Sequence, residues 1–83
     1  MASNVATSDE LPLVERVRRA QLPPPHIRRA IRVKARATLR GLGAELGVTP
    51  MTVWRWESGA TVPRLDHAIA YRELLDALSE ATR

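Results

Sequence analysis

TLRGLGAELGVTPMTVWRWESG, residues 38–59, is the stretch on which the fold turns. Thr38 is a hydroxyl residue placed to cap a helix, and Leu39, Leu42 and Leu46 follow it at i, i+3, i+7 along one helical face. Gly47 stops that helix, as a residue with left-handed backbone does. Thr49-Pro50 then offers a second N-cap with proline at the first helical position, so a new helix begins almost at once, and Ser58-Gly59 closes it. Two short helices joined by Gly47-Val48 have too little chain between them to lie antiparallel. They are predicted to cross steeply.

The second of these helices holds both tryptophans of a chain that has no Phe and a single Tyr. At about 100° per residue, Thr49, Val53 and Trp56 fall on one side of the wheel, and Met51, Trp54, Arg55 and Ser58 on the other. Residues two apart on a helix face nearly opposite ways. Trp56 is therefore expected in the core beside Val53, and Trp54 outside with Arg55. An exposed Trp among Arg, Met and Thr is a poor use of surface unless something binds there. The plainer alternative packs it on a neighbouring loop or arm.

The flanking sequence also reads as helix. Upstream, Leu13, Val14, Val17 and Ala20 share one face of a helix within 11–22, which Pro23-Pro24-Pro25 ends. Pro25 can begin the next helix. There Ile27, Ala30, Ile31 and Ala35 recur at helical spacing, with basic residues on the other faces. Downstream of ATVPR (60–64), a last helix over about 65–80 carries Ala68, Tyr71, Leu75 and Leu78 along one stripe, and Leu65 and Ile69 as a second strip. Nothing alternates with period two. The expected fold is all-α, a compact bundle of about five short helices in one domain over 11–83, preceded by a disordered polar tail at 1–10.

Composition narrows the function. Apolar residues make up 45% of the 83, yet no run approaches the roughly 18 needed to span a bilayer. The N-terminal stretch lacks the basic start and apolar run of a signal peptide, and there is no cysteine, so a cytoplasmic protein is expected. The net charge is +4, and nine of the Lys and Arg residues lie between Arg16 and Arg40 with no acid among them. Such a block suits a polyanion, nucleic acid before an anionic membrane surface, or else is simply a solvated helical face. His26 and His67 follow no metal spacing and are expected on the surface. No serine sits in a nucleophile elbow and no glycine run resembles a phosphate-binding loop, so neither an enzyme nor a cofactor is expected.

TLRGLGAELGVTPMTVWRWESGATVPRL (38–65) resembles the helix-turn-helix of the phage-repressor and Cro-type family, also called the XRE family. The matching features are Gly43 with Leu42 and Leu46 in the first helix, Gly47-Val48 in the turn, and Val53, Trp56, Glu57 and Gly59 in the second helix, followed by Pro63 and Leu65. The likeness extends upstream through IRRAIR (27–32) and covers about 24–78, leaving 11–22 as an added helix. It implies a fold similar to lambda-repressor-like DNA-binding domains and a sequence-specific regulator of transcription, repressor or Cro-like, of phage or bacterial type.

By the same resemblance the second helix enters the major groove of double-stranded DNA. Pro50, Met51, Thr52, Trp54 and Arg55 would then face the bases. Arg55 has the donor fork for guanine O6 and N7, while Met51 and Thr52 offer methyl contacts to thymine. Arg36, Thr38, Arg40, Thr49, Thr61 and Arg64 would meet phosphate, with Thr38 and Thr49 at helix starts where free N–H groups favour an anion. The resemblance further implies that Arg32 pairs with Glu57, a structural role shared with Val53 and Trp56.

Two positions depart from the family pattern. Leu39 stands where Gln is usual, and Met51 where a polar residue is common, so direct readout is thin. Pairing of two copies on half-sites about 34–36 Å apart would make up for it, and a weak homodimer on DNA is expected through the Leu65/Ile69 strip or the added helix, the alternative being a monomer whose added helix and arginines grip flanking DNA. Two other functions remain open at this point. TVWRWESG also resembles excisionases, although those carry a β-wing where this chain has LDHAIAYRELLDAL. A protein-interaction module such as an antitoxin is the other. No small-molecule ligand is evident.

Overall fold

The computed structural model describes residues 10–83, and these form five helices with no strand among them: α1 Leu13–Arg19, α2 Pro25–Lys34, α3 Leu39–Leu46, α4 Pro50–Ser58 and α5 Leu65–Ala81. Apart from Glu10, the expected disordered tail lies outside the described residues.

The α3–turn–α4 unit forms as its punctuation dictates. Thr38 Oγ1 accepts a hydrogen bond from the Gly41 N–H at 2.8 Å, which satisfies one of the orphan donors at the start of α3. Gly47 has left-handed backbone (φ 70°), and the N–H of Val48 donates to the Gly43 carbonyl at 2.9 Å. Thr49 Oγ1 caps α4 by accepting from the Thr52 N–H at 3.2 Å, with Pro50 at the first helical position. Gly59 (φ 77°) ends α4.

Gly43 is where α3 meets the turn backbone to backbone. A Cβ there would lie 2.6 Å from the Val48 carbonyl oxygen and 3.2 Å from the Thr49 carbonyl carbon, neither of which can swing away as a side chain would. Gly43→Ala, a change that favours an ordinary helix interior, should instead lower the unfolding free energy in a urea titration by about 1–3 kcal/mol.

The core runs along α5. Leu42 and Leu46 from α3, Val53 and Trp56 from α4, and Tyr71 and Leu75 from α5 form one buried cluster, with Leu22, Ile31, Leu39, Val48, Leu74 and Leu78 packed around it, and Ala68 and Ile69 of α5 are buried as well. Trp56 lies between two rings of α5, 5.3 Å from Tyr71 and 5.7 Å from His67 by centroids.

Several expectations from helical periodicity need correction. Ile69 is buried, so Leu65 and Ile69 do not form a free strip; α5 is touched by α1, α2 and α3, and its covered sector is wider than one stripe. His67 is half-buried against Trp56, whereas His26 is exposed. On α2, Ile27 and Ala30 are exposed and Arg28 is buried in their stead. On α1, Leu13, Val14 and Val17 point to solvent, while Glu15 and Arg16 are the partly covered residues. That helix docks on α5 by its charged side. Arg72 of α5 donates from Nη1 to the Arg18 carbonyl at 2.7 Å, and Arg18, Arg19, Glu15, Arg72, Glu73 and Asp76 line the seam.

Candidate nucleic-acid interface

The outward face of α4 follows from the burial of its opposite side. Val53 and Trp56 are sunk in the core and Glu57 is buried beside them, which turns Met51, Trp54 and Arg55 outward. Trp54 is 51% exposed and Met51 53%, against 3% for Trp56 on the same helix. Thr49 is exposed at the cap rather than buried with Val53. Thr52 is half-buried, and its hydroxyl is 2.9 Å from that of Thr49, so part of its polar capacity is spent within the cap.

Glu57 is the sole acid of α4. Arg32 of α2 holds it with two hydrogen bonds, Nε to Oε2 at 2.5 Å and Nη2 to Oε1 at 3.0 Å, and donates Nη1 to the Ala37 carbonyl at 3.0 Å. This guanidinium therefore anchors both α4 and the α2–α3 connection. Arg32 belongs to the scaffold and not to the free cations.

A second scaffold arginine escaped the sequence reading. Arg28, 8% exposed, donates Nε to the Pro23 carbonyl at 2.8 Å and Nη1 to the Trp56 carbonyl at 3.3 Å, with its Cζ 5.7 Å from the centre of the Tyr71 ring. One side chain thus joins the segment before α2, the end of α4 and the middle of α5. Nearby, the Tyr71 hydroxyl is buried with no hydrogen-bond partner among the described residues. Burial raises its pKa above the ordinary phenol value, the Glu57 carboxylate pushes the same way, and Arg28 opposes. At the start of α5 the exposed Asp66 carboxyl is shifted down, first by the His67 backbone N–H and also by Arg64.

The basic block between Arg16 and Arg40 therefore divides. Arg28 and Arg32 are internal, Arg16 donates to the Leu11 carbonyl at 3.2 Å, and Arg18 and Arg19 both lie against Glu15. Arg29, Lys34, Arg36 and Arg40 are exposed. Arg36 takes left-handed backbone (φ 57°) where the chain turns from α2 toward the Thr38 cap.

Two adjoining grooves show which of these groups meet. Leu39, Pro50, Met51 and Trp54 line one; Arg29, Arg32, Leu39, Trp54, Glu57 and Ser58 line the next. Arg29 thereby joins the α4 face. It lies one turn before Arg32 on α2, and the pairing of Arg32 with Glu57 was the sequence signal that its neighbour on that face must also approach α4. Thr61 stands apart, in a groove with Val17, Val62, Pro63 and Leu65. Arg64 is exposed but has Asp66 at 3.3 Å as a competing partner.

Among the described residues no cluster of three or more His, Asp or Glu could hold a metal ion, and no helix is long and apolar enough to cross a membrane. In comparisons with known proteins, no family model, no curated sequence and no solved structure matches this chain.

Proposed function

We propose that this protein is a sequence-specific double-stranded DNA-binding regulator of helix-turn-helix type, working in the cytoplasm of a bacterium or a phage-infected cell without catalysis. In this reading α3 sits over the sugar-phosphate backbone and α4 enters the major groove. The observation that carries it is the outward face of α4: Met51, Trp54 and Arg55 stand exposed on a helix whose only acid is held by Arg32, with the exposed Arg29 in an adjoining groove and Arg40 on α3. A solvated helix has no use for a half-exposed Trp and Met side by side. A base-reading helix does.

The partition of the basic block sets the electrostatics. Arg29, Lys34, Arg36 and Arg40 are the candidates for phosphate, joined by the hydroxyls of Thr38 and Thr49; Arg18 and Arg19 share the single Glu15 carboxylate in exposed pairs. Each neutralised phosphate contributes about −0.9 to the slope of log K against log salt concentration. A duplex chosen by selection from random DNA, titrated at several salt concentrations, should give a slope of about −3 to −4. A flat plot would remove the electrostatic half of the proposal.

A second copy remains part of the reading, through α1. Its Leu13, Val14 and Val17 are exposed, Val17 lines a groove with the exposed Val62, and the burial of Ile69 leaves α1 as the better dimer surface. Sedimentation on the same duplex tests this. A single protein binding an asymmetric half-site as tightly as two bind a palindrome would exclude it.

A further inference from the structure

The groove bounded by Leu39, Pro50, Met51 and Trp54 has almost no polar atom on its walls. Two of its four residues, Met51 and Trp54, are about half exposed, so the notch holds apolar surface open to water. Its shape is preformed. Leu39 packs against the core from the first turn of α3, and Pro50 is held by the Thr49 cap with Thr52 hydrogen-bonded behind it.

The surroundings are cationic. Arg29 lies in the adjoining groove that shares Leu39 and Trp54 as walls, and the exposed Arg40 and Arg55 stand next in sequence to Leu39 on α3 and to Trp54 on α4. The occupant must therefore carry a small apolar projection on a polyanion. Within the major groove one base substituent fits that description, the methyl group at C5 of a pyrimidine. A base edge that presents only donors and acceptors would lose water in this notch and gain no partner.

We propose that the Leu39–Pro50–Met51–Trp54 notch selects a C5-methylated pyrimidine, and that Leu39 contributes to specificity as one wall of it. The inference rests on the DNA-binding reading above and adds the chemical feature that is read. Arg55, next to Trp54, supplies the hydrogen-bonding half of the readout, and the notch supplies the apolar half.

The test uses the full chain and its selected duplex, with each thymine replaced in turn by deoxyuridine, which removes the methyl group and nothing else. At one position per bound protein the dissociation constant should rise roughly three- to ten-fold, as burial of one methyl group implies. In the Leu39→Gln variant the ratio between thymine and deoxyuridine at that position should shrink toward one. Selection on unmethylated DNA that returns thymine there identifies thymine as the natural source. Binding only to duplex carrying 5-methylcytosine at that position identifies methylated cytosine instead.

Specific binding in which every deoxyuridine substitution is neutral overturns the notch and leaves the DNA reading standing. Failure to bind any duplex overturns both. If deoxyuridine is neutral and Leu39→Gln alters sedimentation of the DNA-free protein, the notch belongs to a second copy and the inference is likewise overturned.

Discussion

Trp56→Ala should destabilise the domain by about 3–5 kcal/mol, the range of large core truncations. Trp56 fills the junction of α4 with α5, between Tyr71 and His67, and Arg28 crosses the same region to reach its carbonyl. Collapse into the vacated space is resisted from three sides. α5 is continuous past it, α2 is held to α4 by the Arg32–Glu57 pair, and α3 is pressed against the turn at Gly43. Total stabilities are about 5–15 kcal/mol, so the loss should be visible as a large fall in melting temperature. Trp54→Ala is the control on the same helix. Half of that side chain is already in water and Ala favours a helix, so its melting temperature should hardly move while binding to the selected duplex weakens. Equal falls for the two variants would mean that the α4 face is assigned the wrong way round.

Arg32→Met should cost about 3–5 kcal/mol, because it leaves the buried Glu57 carboxylate without its counter-charge. The damage extends beyond the pair. Ala37 loses the donor on its carbonyl, and an unneutralised carboxylate remains close to the orphaned Tyr71 hydroxyl. Glu57→Gln should be milder, since the amide oxygen still accepts from Arg32 and the guanidinium is the less buried partner. The double variant Arg32→Met/Glu57→Met removes both charges and should recover much of the loss. A double-mutant cycle by urea denaturation checks this. Strictly additive effects would show that the pair is not coupled.

How much of this was legible beforehand depends on the kind of signal. The α3–turn–α4 unit is written in local chemistry: Thr38 and Thr49 as caps, Pro50 at a first turn, Gly47 and Gly59 with left-handed backbone. None of these needs tertiary context. The two tryptophans separate on the wheel for the same reason. Periodicity misled wherever a helix is covered by more than one neighbour or by none. Ile69 lies off the main stripe of α5 yet is buried on a helix that α1, α2 and α3 all touch, and the apolar residues of α1 stay exposed while Glu15 and Arg16 are its partly covered ones.

Charge misled at Arg28. A guanidinium reads as surface in any hydropathy pattern, and its burial depends on carbonyls of Pro23 and Trp56 that only the fold brings within reach. The site is legible to a corresponding degree. Met51, Trp54 and Arg55 lie outward and Val53 and Trp56 inward as the wheel has them, but Thr49 is exposed and Thr52 half-buried, and Arg29 is apparent only once α2 is seen against α4.

The charged docking of α1 bears on cooperativity. Not one of its residues is buried, and it is tied down by Arg72 on the Arg18 carbonyl and by partly exposed groups along the seam, whereas α2 to α5 share one continuous core with Arg28 and Arg32 bolted through it. The chain is thus built as two units of unequal strength. Amide protons of α1 are free to exchange through local opening, at a free energy well below that of global unfolding, while those of α4 and α5 wait for the whole core to come apart. A stability measured from the tryptophans describes the second unit alone.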